Sequence, residues 1–403
     1  MISELNKEES IDNRDISIVV VNYRVKEYIL LLLDSIQKAT KHLSVEIFVV
    51  DNNSDDGSPE YLISAFKGIK IIKNDENIGF SRANNQAIEK ASGTYTLIIN
   101  PDTVIQEDSL LKLKDYMDES NKTAALGFKM FNPDGTFARE SKRSVPDLKT
   151  GIFRASGLDK FLPNSRLFGR RYLGWIDENE VAEVPVISGA GMFWRTSVLK
   201  ELQGFDEAFF MYGEDDDLCY RVQNTDFSIR YFPPAKMLHF KGESEREMSL
   251  KSLKKMNKGL AQFFTKHYKN SYNIISRALI SFAFNSRTVI QYLTLKSKNN
   301  TDAQQEKINS VVILHNLEKE FPDGLDNDIK NALKLTSENL DFRRVSDQND
   351  FINISKNIVF DTSSVTYTEA FSLMEKLNEK EFSFYFLLPK QKLIVGKSRI
   401  FEL

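Results

Sequence analysis

The chain has 403 residues, 41% hydrophobic and 28% charged, an ordinary globular composition with room for two or three domains. A net charge of −3 excludes binding of nucleic acid by bulk charge, and the single cysteine, Cys219, excludes an internal disulfide framework. The polar, acidic N-terminus "MISELNKEESIDNRD" is unlike a secretory signal, and no uninterrupted apolar run reaches the ~20 residues that span a bilayer. These features predict a cytoplasmic protein, soluble or peripheral on the inner face of a membrane, with 1–14 a disordered tail.

In chain order, "ISIVVVNY" (16–23), "VEIFVVDN" (45–52), "IKIIKN" (69–74) and "TYTLIIN" (94–100) are short, β-branched, near-continuous apolar runs. Such runs read as strands buried on both faces of a parallel sheet. The segments between them, "EYILLLLDSIQKAT", a shorter stretch after "SDDGSP", and "SRANNQAIEKAS", read as helices. Right-handed crossovers fold this alternation into an open α/β sheet with helices on both faces. Ligands of such sheets bind at the carboxyl ends of the strands. Here those ends carry Asn22 and Tyr23, Asp51 and Asn52, Asn74, and Asn100 with Asp102.

A helix over 108–118 follows, then strands in "AALGFKMF" (124–131) and "EVPVISGAGMFWR" (183–195), a helix from "GEDDD", and a late strand and loop in "SIRYFPPAKMLHF" (228–240). Between Met248 and Lys298 there are ten Lys or Arg and no Asp or Glu. The basic region 246–298 reads as amphipathic helix, laid either on an anionic membrane surface or on the main domain with its charges solvated. A polar linker (296–307) leads to "SVVILHN", "NIVFDTS" and "FSFYFLLP", which alternate with helical stretches over 327–340 and 366–380. Residues 299–403 are expected to form a small α/β domain that serves interaction, such as homo-oligomerisation.

The sheet invites a nucleotide, yet neither G-x-G-x-x-G after the first strand nor G-x-x-x-x-G-K-[ST] anywhere is present, which argues against a dehydrogenase and a phosphate-loop ATPase. A Mg²⁺ or Mn²⁺ ion held by Asp102 in "NPDT" would anchor a diphosphate instead. The four consecutive acids Glu214, Asp215, Asp216 and Asp217 exceed what a helix start needs, so a cation or a proton is expected among them.

Taken together, "SIVVVNYRVKEYILLLLDSI", "VVDNNSDDGS", "NIGFSRANNQAI", "LIINPDT", "SGAGMFWRTSVLKELQGFDEAFFMYGEDDDLCYRV" and "HFKGES" resemble the family 2 glycosyltransferases, nearest their bacterial rhamnosyltransferase-like branch. The resemblance implies a GT-A fold over 15–245 and inverting transfer of a sugar from a nucleotide-diphosphate donor (dTDP- or UDP-sugar). The acceptor would be a saccharide hydroxyl, lipid-linked, in polysaccharide synthesis. By the same resemblance Asn22 and Tyr23 lie beside the base, Asp51 binds base or ribose, and Asn77, Gly79, Asn84 and Asn85 line the nucleotide pocket. Asp102 matches the last acid of the family's D-x-D metal motif, with Asn100 at the first, and His239 matches an additional metal ligand of some relatives. The general base falls on Asp215, with Glu214 second, and its neighbours should raise its pKa towards neutrality. Arg143 resembles an arginine that contacts the diphosphate or the acceptor. A catalytically degenerate nucleotide-sugar-binding scaffold is the alternative.

Overall fold

The computed structural model describes residues 14–156, 158–242, 250–269, 308, 310–316, 319, 321–335, 339–345, 355–377, 382–397 and 399–403. Residues 1–13 of the expected tail, the linker and the basic region beyond 269 lie outside these residues. Among the described residues no helix is long and apolar enough to cross a membrane.

The alternation read in the first hundred residues is realised as β1 (Ile16–Asn22), α1 (Lys26–Ala39), β2 (Val45–Asp51), α2 (Ser58–Ala65), β3 (Ile69–Lys73), α3 (Phe80–Lys90) and β4 (Tyr95–Ile99). β5 (Thr103–Ile105), α4 (Ser109–Glu119), β6 (Thr123–Phe131) and β7 (Lys142–Arg143) follow, then α5 (Leu148–Ser156) and α6 (Leu158–Phe161). β8 (Ala182–Glu183), β9 (Val186–Ile187), β10 (Gly191–Arg195), α7 (Thr196–Glu201), α8 (Glu214–Val222), β11 (Ser228–His239) and α9 (Leu250–Tyr268) complete this part. The large sheet runs β3-β2-β1-β4-β10-β6-β11-β5, with β8 paired to β11. β1 to β4 are mutually parallel, β6 and β11 are parallel, and β10 is antiparallel between β4 and β6. This is the open, mainly parallel α/β sheet that the alternation of strands and helices predicted.

Alternation along β1 explains the two helical layers. Ile18 and Val20 belong to the core that includes α1, whereas Val19 and Val21 pack with Ala83 and Ala87 of α3. Segment 183–195 is not the single strand expected. It breaks into β8, β9 and β10, because β9 leaves the sheet to pair with β7 and Ser188–Ala190 turn back at the cleft.

The C-terminal part forms a second sheet, β13-β12-β14-β15-β16-β17, built from β12 (Val311–Leu314), β13 (Leu340–Arg343), β14 (Asn357–Asp361), β15 (Ser383–Leu388), β16 (Leu393–Gly396) and β17 (Arg399–Glu402). The helix expected over 327–340 is Leu325–Leu333. It ends at Lys334, whose left-handed backbone (φ 55°) stops it and leaves Leu340 to open a strand.

The second sheet is fastened to the first through buried apolar surface and charge. Phe131 meets Phe371 at 5.9 Å, and Phe240 meets Phe386 at 6.3 Å. The Tyr28 hydroxyl donates to the Gly396 carbonyl, and Tyr367 Oη donates to Asp34 at 2.7 Å. Glu107 accepts the Tyr367 and Thr368 amides, capping the positive end of the helix Tyr367–Lys376 from the other sheet. Near that helix's other end Glu375 pairs with both Lys129 of β6 and Lys236 of β11.

A shared core predicts shared unfolding. Phe371→Ala deletes a buried ring, at a cost of about 3–5 kcal/mol. Calorimetry should show the transition of the N-terminal sheet moving down together with that of the C-terminal sheet. Two transitions, with only one displaced, would mean that the units fold independently.

Candidate active site

The carboxyl ends of β1, β2 and β4 open onto a cleft of about 290 Å³. Tyr23, Asn52, Asn77, Gly79, Asn100, Asp102 and His239 line one side. Ser188 to Ala190, Phe210 to Tyr212, Glu214, Asp215, Gly242 and Lys255 close the other.

The residues expected to hold the nucleotide divide into liners and struts. Tyr23, Asn77, Gly79 and Asn100 face the cleft. Asn22 and Asp51 do not line it. Asn22 Nδ2 donates to Asp51 at 2.8 Å and to the hydroxyls of Ser54 and Ser58, while Asp51 also accepts the Ser54 hydroxyl and amide. That buried network fixes the 52–58 loop below the liners. Asn84 donates to the Phe80 carbonyl inside α3, and Asn85 ties α3 to the Phe205 backbone in both directions. Asn52, a strand-end residue given no nucleotide role, lines the cleft and donates to the Gly79 carbonyl. Gly79 has φ 89°, and a Cβ there would stand 2.6 Å from the Phe210 carbonyl oxygen, which accepts the Phe80 amide. Only glycine lets the two sides of the cleft meet so closely.

α8 starts abruptly because Tyr212 and Gly213 both adopt positive φ, 72° and 92°. The turn buries Glu214, Asp216 and Asp217 at the helix N-terminus and leaves Asp215 partly open, and each acid finds different company. Asp217, fully buried, accepts from Arg221 at 2.9 Å, Lys266 at 2.6 Å and His267 at 2.7 Å. Asp216 binds Arg171 through both oxygens. Asp215 Oδ2 accepts from Arg143 at 2.5 Å and from the Gly189 amide at 3.0 Å, and its Oδ1 accepts the Asp216 amide. Glu214 Oε2 is buried without a hydrogen-bond partner.

The protonation states follow from this division. Burial, then the charge of Asp215, push the Glu214 carboxyl up to about 8. Burial opposes ionisation of Asp215 as well, but the Arg143 guanidinium and the Gly189 amide outweigh it and hold the carboxyl below its ordinary range. The upward shift expected for Asp215 therefore falls on its neighbour, because Arg143 reaches Asp215 and not Glu214. At neutral pH Asp215 is charged and Glu214 carries a proton.

Across the cleft, Asp102 Oδ1 lies 3.4 Å from His239 Nε2, and His239 Nδ1 is buried with no hydrogen-bond partner. β5 and β11 pair antiparallel, with Thr103 opposite His239, which sets the two side chains together. Among the described residues no group of three or more His, Cys, Asp or Glu could hold a metal ion. Two protein donors and the Asn100 amide are what this wall offers.

Trp194 is fully buried, Trp175 packs against the same core, and Cys219 is a buried thiol pushed up by that burial. Gly191 leaves room for Met237 and Phe128. Lys255 and Arg171 were missed. Lys255 lies in the basic stretch of α9, whose packing on α8 brings it into the cleft, and only a tertiary contact places it there. A Cβ on Gly259 would stand 1.9 Å from the Tyr212 carbonyl oxygen, so α9 presses its backbone against the turn that starts α8.

Comparison with known proteins adds a family likeness. Residues 17–189 match the profile of the family described as Glycosyl transferase family 2. The chain is 28% identical over 240 residues to the N-acetylglucosaminyl-diphospho-decaprenol L-rhamnosyltransferase of Mycobacterium tuberculosis, covering 56% of this chain and 76% of that protein. It is 25% identical over 273 residues to rhamnosyltransferase WbbL of Escherichia coli K12, covering 65% and 93%. Among solved structures, a mannosyltransferase of Pyrobaculum calidifontis in complex with GDP-Man and Mn²⁺ overlaps 73% of this chain and 76% of its own, at 14% identity and a TM-score of 0.46. Residues 17–189 therefore resemble the family 2 glycosyltransferases, and two relatives similar over a longer stretch are rhamnosyltransferases.

Glu214 makes stability depend on pH. Its pKa is about 8 in the folded chain and near the ordinary 4.5 once unfolded, so the unfolded state loses its proton first. The stability associated with the protonated carboxyl is complete below about pH 4.5 and is lost as pH rises through about 8. Glu214→Gln removes this dependence. Thermal midpoints of the variant and parent should diverge as pH rises from about 5 to 8, with the variant the more stable. A constant difference across that range would show that Glu214 does not titrate there.

Proposed function

We propose that the protein is an inverting transferase that moves one sugar from a nucleotide-diphosphate donor, dTDP- or UDP-linked, to a hydroxyl of a lipid-linked saccharide acceptor during bacterial polysaccharide assembly. The observation that carries this reading is the placement of an ionised Asp215 across one cleft from Asp102 and His239, beneath the carboxyl ends of parallel strands. The mycobacterial relative, named for N-acetylglucosaminyl-diphospho-decaprenol, supports the lipid-linked class.

The donor's nucleotide would lie against Tyr23, Asn52, Asn77 and Gly79, with Asn22 and Asp51 holding the loop beneath it. Asn84 and Asn85 keep α3 in place rather than touching the ligand. A divalent cation, Mg²⁺ or Mn²⁺, fits the other wall. Asp102 supplies hard oxygen and His239 an imidazole with one unsatisfied nitrogen, beside the Asn100 amide, while the donor diphosphate would complete the shell. When bound, the ion would offset charge on the leaving diphosphate.

Asp215 is the general base of this reading. A base must be unprotonated before it acts, and Asp215 is the charged member of the pair at neutral pH, whereas Glu214 is not. Its Oδ1 accepts only the Asp216 amide and retains capacity for an acceptor hydroxyl. The hydroxyl oxygen bonds to the anomeric carbon, its proton passes to Asp215, and the bond to the diphosphate oxygen breaks on the opposite face. Arg143 and the Gly189 amide aim the carboxylate, and neutral Glu214 avoids a second negative charge beside it.

Asp215→Asn should lower turnover by roughly 10²–10⁴-fold and leave donor binding intact, whereas Glu214→Gln should retain activity at neutral pH. Release of nucleoside diphosphate from dTDP- and UDP-sugars reports the first quantity. The thermal midpoint with saturating donor reports the second, since ligand at ~100 times its dissociation constant adds about 2.7 kcal/mol. Loss of turnover in Glu214→Gln alone would move the base to Glu214. Donor binding with no turnover in the parent, across acceptors, would favour a degenerate scaffold. His239→Ala should abolish any extra midpoint shift that Mn²⁺ adds to that of the donor; an undiminished shift would remove His239 from the metal shell.

A further inference from the structure

Seven large apolar side chains are exposed among the described residues, and four of them, Leu158, Phe161, Leu162 and Leu167, fall within ten positions of one another. Phe161 is 82% exposed. Single exposed apolar residues need no explanation, but a cluster does. The segment is not an open coil. The Leu162 amide bonds the Leu158 carbonyl, Ser165 Oγ accepts the Leu167 and Phe168 amides, and the Gly169 amide bonds the Ser165 carbonyl. A Cβ on Gly169 or Gly174 would stand 1.7 or 1.9 Å from the Pro163 carbonyl oxygen, so the inner side of the loop is closed against backbone. The loop is built to present these side chains outward.

Cations are interleaved with them. Lys160, Arg166 and Arg170 are exposed, while the one acid within the loop, Asp159, is buried. Arg170 lies 3.6 Å from Asp147, and neither Lys160 nor Arg166 has a carboxylate partner among the described residues. Lysine is depleted but arginine and phenylalanine are enriched at protein interfaces, so the alternation of cations with apolar tips, rather than composition, selects the occupant. Apolar side chains to enter the acyl boundary, with basic groups between them for anionic headgroups, match a lipid surface. Arg171, next in the chain, binds Asp216 of α8, so the loop is held to the helix that carries Asp215.

We propose that residues 158–170 are a membrane-docking loop that seats the enzyme on an anionic bilayer beside its cleft. Its purpose rests on the lipid-linked acceptor proposed above, but docking itself needs neither donor nor acceptor, so the two readings fail separately.

The test is co-sedimentation of the full chain with vesicles of phosphatidylglycerol and phosphatidylcholine in equal parts, and with phosphatidylcholine alone. The parent should bind the anionic vesicles more tightly, and less so as salt rises. Each basic group near the surface is worth roughly fivefold, so Lys160→Glu with Arg166→Glu should weaken binding at least ~20-fold. Phe161→Ser with Leu167→Ser should weaken it at least ~10-fold. Thermal midpoint and turnover with a water-soluble acceptor should stay unchanged in both. No binding by the parent overturns the proposal, as does parent-like binding by both double variants, which would put the contact elsewhere on the chain. Self-association of the parent without vesicles, lost in Phe161→Ser with Leu167→Ser, would assign the patch to a second copy and equally overturn it.

Discussion

Four adjacent carboxylates, three of them buried and the fourth partly so, can share one helix end only if positive charge is brought to them, and much of this architecture meets that demand. Asp217 draws in Arg221 and two residues of α9, Asp216 draws in Arg171, and Asp215 draws in Arg143. The cations come from β7, from the segment before β8 and from a helix beyond β11. Satisfying the acids therefore gathers the loops that wall the cleft. The one carboxylate left without a cation at contact, Glu214, takes a proton instead. Neutralisation by arginine and neutralisation by a proton, side by side, leave one charged carboxylate facing the cleft beside a neutral one.

The opposite wall depends on the sheet. Parallel strands deliver their carboxyl ends to a common edge, and β5 and β11 add Asp102 and His239 by pairing antiparallel at the far side. The C-terminal sheet supports this from behind. Through Glu375 it joins β6 and β11, the latter running on to His239, and through Glu107 and Asp34 it is fixed to the helical layer under β5. Much of the C-terminal unit's apolar surface is spent inside the same chain.

α1 shows how that second unit was already written into the first. Leu30, Leu31, Leu32 and Leu33 are consecutive and all buried, which no helix with a solvent face would allow. The helix is covered by its own sheet on one side and reached by the C-terminal unit on the other, where Tyr28 bonds Gly396 and Lys38 bonds Thr362. Glu46 is a converse case. It sits buried in an apolar strand, yet Lys70, Ser17 and Ser92 overcome the cost of burial and draw its carboxyl down to about 2.

Local pattern was enough for the strand and helix order of the first hundred residues, for the start of α8 and for the residues brought to the cleft edge, because hydrophobic period and turn chemistry act over a few neighbours. Tyr23, Asn77, Gly79, Asn100, Asp102, Glu214, Asp215 and His239 were all named from sequence and all line one cleft. What sequence alone could not divide was liner from strut, since Asn22 and Asn52 are both strand-end amides and differ only in what folds over them. Nor could it assign the proton: Glu214 and Asp215 are adjacent acids, and the reach of Arg143, 72 positions away, decides which of them stays charged. The missed strands β13, β16 and β17 have the same cause, being short runs stabilised by a sheet already formed beside them. Pattern determines which elements form, and long-range packing determines which charges, faces and hydrogen bonds they bring to one another.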